Sequence, residues 1–309
     1  INSGVKVLLS RQITMASHTK KFEEEFAKKL GVKYALMVNS GSSANLLATF
    51  AAGNPLRKKR FKPGDEVLIP VLCWSTSLWP LVQFGLKPVF VDVDVKSLNV
   101  NTNDLISKIS NKTKAIILIN IHGNSSDIFK IKVIAKKKNI ILIEDNCEAL
   151  GSKLKNKYLG TFGDFATFSF FYSHQITSGE GGMIVCHNDR DYEILFSLRS
   201  HGWLGGTRFY PRSLGIYKKY AKKNTNLDPR YIFVNSGFNV RPTDVQAAIA
   251  RNQFKRLNQL MSIRSKNKDL RFISENKSIK NSRLIILQAL SIVIENGMSI
   301  LGVSTPKSM

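Results

Sequence analysis

Along most of the chain, short unbroken apolar runs alternate with longer stretches in which apolar residues recur every third or fourth position. His18 to Gly31 reads HTKKFEEEFAKKLG, with Phe22, Phe26 and Leu30 spaced four apart among charges. That spacing predicts an amphipathic helix stopped by glycine. YALMVNSGSSANLLATFAAG predicts a strand, a Ser/Gly turn and a helix. DEVLIPVLC, KPVFVDVD, TKAIILINIHG and IILIEDN predict further strands, with helices between them in TSLWPLVQFG, NTNDLISKI and DIFKIKVIAKKKN. FATFSFF and GGMIVC add two more strands, and a helix is expected from about Thr243 into LNQLMSI. Unbroken apolar strands are expected where helices cover both faces of a mainly parallel sheet. The expected organisation is one large α/β domain over residues 1–250, followed over 251–309 by a connecting helix and an incomplete C-terminal domain.

A length of 309 residues with 43% hydrophobic composition is ample for a large core. No run of 18 apolar residues occurs, so no membrane span is expected. The first residues carry no apolar stretch followed by a small-residue cleavage site, so no secretory signal is expected. The chain begins at Ile1, and its true start is expected to be missing. Cys73, Cys147 and Cys186 are too widely spaced for a disulfide framework or a metal site, which fits a reducing cytoplasm. The net charge of +24 raises nucleic acid as a partner. Yet 32 lysines outnumber 14 arginines and lie scattered, without a helix-turn-helix, RNP or zinc-finger pattern. A generally basic surface is expected instead, suited to an anionic, nucleotide-linked substrate. Gly205 to Tyr231 is irregular and basic, and reads equally as a functional lid or a linker.

Candidate chemistry lies where predicted strands end. NSGSSANLL places Gly41, Ser42 and Ser43 between a strand and a helix. Helix N–H groups and hydroxyls there could bind phosphate, or the serines could only cap the helix. IILIEDNCEALG ends a strand in Glu144, Asp145 and Glu148. Carboxylates beyond a strand's carboxyl end suit a cationic ring nitrogen, a metal or a hydroxyl, or simply cap a helix. Trp74 in CWSTS could stack on a planar ligand or pack into the core. His174 sits in SFFYSHQITSGEGG with polar neighbours Ser173, Gln175 and Thr177, in a loop and not on an apolar face.

Taken in order, these segments resemble the pyridoxal-phosphate-dependent sugar aminotransferase and dehydratase family called DegT/DnrJ/EryC1/StrS. The likeness runs from about Gln12 to Arg264, through FEEEFAKKLGVKYALMVNSGSSANLL, KPGDEVLIPVLCWSTS, GLKPVFVDVD, IEDNCEALG, GTFGDFATFSF, GEGG, RSHGW and GFNVRPTDVQAAI. It implies an aspartate-aminotransferase-like (fold type I) α/β/α domain with a smaller C-terminal domain. The likeness fades after Arg264, so that C-terminal domain is expected to be truncated. Most members carry a loop lysine that tethers the cofactor covalently. This chain has His174 at the matching place and no lysine between Lys157 and Lys218. With CWSTS and RSHGW, that variant is most similar to the branch that removes the 3-hydroxyl of a GDP-linked 4-keto-6-deoxyhexose. An iron–sulfur branch of dehydratases carries clustered cysteines, and no such cluster follows His201.

The resemblance implies pyridoxal or pyridoxamine phosphate as cofactor, without a covalent tether, and glutamate as amino donor. His174 would be the catalytic base. An imidazole of ordinary pKa about 6.5 is largely free base at neutral pH, whereas a lysine near 10.4 is not. Asp145 would pair with the ring nitrogen, Trp74 stack on the ring, and Gly41, Ser42 and Ser169 hold the phosphate. Glu148 would support cofactor or substrate. Asn239 would reach the phosphate across a homodimer interface. His201, Trp203 and Arg241 would border the sugar or an anion, with no metal. The product would be a 3,6-dideoxy-4-keto sugar of the kind built into lipopolysaccharide O-antigens. Three alternatives stay open: a sugar aminotransferase, a catalytically silent cofactor-binding relative, and a nucleic-acid binder.

Overall fold

The computed structural model describes residues 2–203, 215, 219–220, 222, 226–228 and 231–268. The basic segment from Gly205 to Tyr231 lies largely outside the described residues, as does the C-terminal segment beyond 268. The chain divides into two compact units, residues 1–258 and 259–309; the sheet and the candidate site belong to the first, and residues 259–268 of the second are helical.

All seven predicted core strands form: β1 (Tyr34–Val38), β2 (Glu66–Pro70), β3 (Lys87–Val91), β4 (Thr113–Ile119), β5 (Ile141–Asp145), β8 (Phe165–Ser169) and β9 (Gly182–Cys186). A small hairpin, β6 (Lys153–Leu154) with β7 (Lys157–Tyr158), lies between β5 and β8. The seven strands make one sheet in the order β1-β9-β8-β5-β4-β2-β3. The run from β3 to β8 is parallel, and β9 runs opposite to both of its neighbours.

The predicted helices are α2 (Ser17–Leu30), α3 (Gly41–Ala52), α4 (Ser75–Gln83), α5 (Thr102–Ser107) and α6 (Ile128–Lys137). Gly31 ends α2 in the left-handed conformation, φ 72°, as a stopping glycine should. The helix expected from Thr243 onward forms as two, α8 (Asp244–Lys255) and α9 (Leu257–Lys268), with a break at Arg256. Among the described residues, the helices α1 (Asn2–Ser10) and α7 (Asp189–Arg199) were not anticipated.

Period-two geometry explains how unbroken apolar strands serve two cores. Val67, Ile69, Ala115, Ile117, Ile141 and Ile143 pack in one cluster with α3 and α7 residues such as Leu47, Ala48 and Leu195. Their neighbours Leu68, Ile116, Leu118 and Leu142 face the opposite way, against Ile128, Ile131 and Ala135 of α6. The result is helix, sheet and helix in three layers. On β8 the alternation separates chemistry from packing. Phe168 contacts Phe26 of α2 at 5.1 Å between ring centroids, and Phe26 stacks on Phe254 of α8 at 5.0 Å. Thr167 and Ser169 therefore point to the other face, toward α3.

Candidate active site

The site is built at the carboxyl ends of the parallel strands, where α3 and α4 begin. Ser40 caps α3 by accepting a bond from the Ser43 N–H at 3.1 Å. The first N–H groups of a helix lack intrahelical partners, and with the dipole they favour an anion. Ser42 Oγ bonds Thr76 Oγ1 at 3.1 Å, so hydroxyls at the starts of α3 and α4 meet.

The backbone here leaves no room for a side chain. A Cβ added to Gly41 would lie 2.5 Å from Ser169 Cβ and 2.9 Å from its hydroxyl oxygen. One on Gly182 would lie 2.3 Å from the Ser40 carbonyl oxygen. The start of α3, the end of β8 and the start of β9 thus close together into a cradle. Ser169 itself is buried and accepts a bond from the Phe171 N–H at 3.3 Å.

Asp145 ends β5 and is 5% exposed. Its Oδ2 accepts from the Asn45 amide at 2.8 Å and from the Ser77 hydroxyl at 2.7 Å, and its Oδ1 from the Cys147 N–H at 3.1 Å. Three donors on a buried carboxylate keep its charge compensated. Its strand neighbour Glu144 faces the other way and accepts N–H groups of Gly160, Phe162 and Gly163 at 2.7–2.8 Å. Burial pushes the Glu144 carboxyl above the ordinary range against the pull of those three bonds. Glu144 pins a turn, and Asp145 faces the cradle. Burial first, then the Asp145 carboxylate, pushes the Cys147 thiol well above its ordinary value, so Cys147 stays protonated and unreactive.

Trp74 stands at the N-cap of α4 and is 76% exposed, a flat apolar face at the mouth of the site. His174 lies in the loop joining β8 to β9, and its N–H donates to the Phe171 carbonyl at 3.1 Å. The loop is held at its base by Phe170 N–H to Gly181 carbonyl at 2.8 Å and Ser178 N–H to Phe170 carbonyl at 3.0 Å. The next residue, Gln175, donates its amide to the Glu148 carbonyl. The Glu148 carboxylate accepts from the His122 N–H at 3.0 Å and pairs with its ring at 3.3 Å. Glu148 thereby ties the loop after β4 to the loop that carries His174.

The remaining predicted residues form a second group. His201 adopts φ 62° and donates its N–H to the Phe238 carbonyl at 2.7 Å. Ser200 bridges Asn239, and Trp203 bridges Phe233. The Arg241 guanidinium donates to the side-chain amide oxygen of Asn239 at 3.1 Å. Val240 joins this group to the first, since its carbonyl accepts from the Asn39 N–H at 3.1 Å, directly before the α3 cap. Among the described residues, no group of three His, Cys, Asp or Glu could hold a metal ion, and no helix is long and apolar enough to cross a membrane.

Asn45, Ser77, Thr76 and Thr167 were not singled out from sequence. Asn45 lies inside a helix that reads as apolar, and Ser77 inside one that reads as core. Thr167 carried a signal, since Thr167 and Ser169 alternate with Phe168 and Phe170 in FATFSFF.

Comparison with known proteins places this geometry. The model of the DegT/DnrJ/EryC1/StrS aminotransferase family matches residues 1–275. A model of the DALR anticodon binding domain matches residues 252–309, overlapping the end of the first. The chain is 42% identical over 261 residues to GDP-4-keto-6-deoxy-D-mannose 3-dehydratase of Escherichia coli O55:H7, covering 84% of this chain and 66% of that protein. It is 40% identical over 270 residues to the Yersinia pseudotuberculosis protein of the same name, covering 86% and 66%. The chain therefore spans just under two-thirds of the curated relatives it matches. A solved structure of GDP-4-keto-6-deoxymannose-3-dehydratase, with PLP and glutamate trapped as a geminal diamine, superposes with a TM-score of 0.77. It is 38% identical, over 89% of this chain and 70% of that one. With a family model matched across most of its length and a parallel-sheet fold shared with solved members, the chain belongs to the DegT/DnrJ/EryC1/StrS aminotransferase family.

Proposed function

We propose that the chain is a pyridoxal/pyridoxamine phosphate-dependent nucleotide-sugar 3-dehydratase. Its substrate would be a GDP-linked 4-keto-6-deoxyhexose and its amino donor glutamate, in synthesis of the deoxysugars of lipopolysaccharide O-antigens. One observation carries the reading. A close approach of Gly41, Gly182 and Ser169 at the start of α3 lies at the carboxyl edge of the sheet with a buried aspartate, and the adjoining loop offers a histidine where a tethering lysine would stand. The residues fit the cofactor. Gly41 and Ser42, with Ser169, would hold the phosphate, Asp145 the ring nitrogen, and Trp74 one ring face. When bound, pyridoxamine phosphate supplies an amine for the sugar's C4 ketone and an electron sink for the bond that breaks. His174 would take the proton at the cofactor's C4′ carbon and would return it to the departing 3-hydroxyl. Asp145 would accept a bond from the ring nitrogen. Glu148 holds the two loops that frame the site.

The relatives named for the 3-dehydratase, and the solved one holding PLP with glutamate, support the reading. A second copy of the chain is the proposed partner, with Asn239 reaching its site. Trp79, Val82 and Phe90, each about half exposed on α4 and the edge strand β3, are apolar surface such a contact would cover. A soluble nucleotide sugar as substrate is compatible with a reaction in the cytoplasm.

The test mixes purified protein with pyridoxal phosphate and glutamate and follows the absorbance change to pyridoxamine phosphate. Adding GDP-4-keto-6-deoxymannose should then give the 3-deoxygenated sugar by mass. An intact 3-hydroxyl after full cofactor loading rejects the assignment. Light scattering at twice 34.7 kDa supports the dimer, and a monomer mass rejects it.

A further inference from the structure

The Asp145 carboxylate is held by side chains that the proposed reaction does not use. Asn45, Ser77 and Thr167 are all buried, at 8%, 5% and 0% exposure. A carboxylate only accepts hydrogen bonds, so the group Asn45 turns toward Asp145 must be its NH2. The amide oxygen then faces Thr167, whose hydroxyl donates to it at 2.6 Å. The relay has one direction: Thr167 hydroxyl to Asn45 carbonyl, Asn45 amide to Asp145 carboxylate. Ser77 adds a second donor to the same oxygen at 2.7 Å. A carboxylate offers roughly four acceptor positions. Asn45 and Ser77 fill both on Oδ2, and the Cys147 N–H fills one on Oδ1. The Cys147 thiol also bonds the carboxylate, so Asp145 is held from several sides.

We infer that Asn45 is a positioning residue, locked by Thr167, that fixes the Asp145 carboxylate in the orientation in which it meets the cofactor's ring nitrogen. This rests on the proposed reading of Asp145. It assigns Thr167 an influence on cofactor binding although its hydroxyl reaches the carboxylate through Asn45, its other and longer contact being the Glu144 carbonyl at 3.5 Å. The elements explain why the relay is stiff. Asn45 sits in the second turn of α3, and Thr167 and Asp145 sit on the paired strands β8 and β5, directly opposite each other in register. None of the three lies on a loop.

The test measures pyridoxal phosphate affinity by equilibrium dialysis on the full chain. Thr167→Val keeps the β-branched shape and removes the hydroxyl. It should weaken binding about fivefold, the equivalent of one neutral hydrogen bond. Thr167→Ser should restore affinity to within roughly twofold of the parent, since the donor returns. Asn45→Ala should weaken binding at least about tenfold, as a lost bond to a charged group does. Adding Thr167→Val to Asn45→Ala should then change nothing further, because its route is gone.

A Thr167→Val protein that melts lower but binds pyridoxal phosphate like the parent overturns the inference and leaves Thr167 a packing residue. Equal losses in the presence and absence of Asn45 overturn it as well. Binding that falls in Asp145→Ala and is untouched by Thr167→Val rejects the relay alone and spares the cofactor assignment. Absence of binding in the parent protein rejects both.

Discussion

The cradle makes a demand that a single methyl group can test. Gly41→Ala places a Cβ 2.5 Å from Ser169 Cβ, where ordinary contact begins at 3.4 Å. Ser169 Oγ at 2.9 Å and Cys147 Sγ at 3.1 Å block the other directions. The start of α3 or the end of β8 must therefore move by nearly an ångström. Forcing extra atoms into a packed site costs about 1–3 kcal/mol. If about 2 kcal/mol of that falls on the phosphate site, pyridoxal phosphate affinity drops roughly thirtyfold. The same substitution at Gly4 is the control. Its Cβ would meet Ile249 and Val245 of α8 at 3.4–3.5 Å, ordinary contact between α1 and α8. Alanine there should gain about 0.5–1 kcal/mol of helix stability, a rise of about one to three degrees in Tm. The assay is thermal unfolding with and without pyridoxal phosphate, plus dialysis for affinity. The expected pattern is opposite signs: Gly4→Ala melts higher and binds normally, and Gly41→Ala loses most of its cofactor-induced Tm shift. Parental affinity in Gly41→Ala refutes the cradle, because it would mean that α3 and β8 do not close on a ligand as drawn.

Asp244 accepts from the N–H groups of Ala16, His18 and Thr19 and from the Thr19 hydroxyl, at 2.7–3.1 Å. Asp244→Ala strands these donors at the start of α2 and should cost about 3 kcal/mol, read by urea unfolding. The Arg251 guanidinium bonded to Glu25 holds that carboxyl below its ordinary range. The pair's contribution is thus complete above the unfolded-state value near 4.3 and is lost as pH falls through the lowered folded one. The Glu25 side chain is 37% exposed, so Glu25→Gln should cost less than about 1 kcal/mol at pH 7 and nothing in strong acid. His174→Asn should slow the glutamate-driven conversion of pyridoxal phosphate at least about a hundredfold, with cofactor affinity within roughly threefold of the parent. Equal loss of both would make His174 a binding residue only.

The layered fold was legible because its strands announce themselves twice. Their apolar runs are too short for helices, and the alternation hidden inside each run supplies both cores, as Leu142 and Ile143 do from adjacent positions. Two helices escaped notice for physical reasons. DRDYEILFSLR carries five polar residues at its start and end, and α1 is only nine residues long. The break at Arg256 has no glycine or proline to mark it. In the site, residues at strand ends were visible as candidates, with a helix-capping reading beside each until the family resemblance assigned their roles. Asn45 was not, since a helix interior tolerates an asparagine for many reasons and only a partner 100 residues away explains this one. The clue lay in FATFSFF. In a strand covered on both faces, Phe168 and Phe170 could go to either side, yet Thr167 and Ser169 must share the face opposite to them. Two hydroxyls on one buried face need partners there, and the helix packed on that face must supply them. Thr167 finds Asn45, while Ser169 packs against Gly41 and its hydroxyl oxygen accepts from the Phe171 N–H, so the parity of one strand already points to both halves of the site.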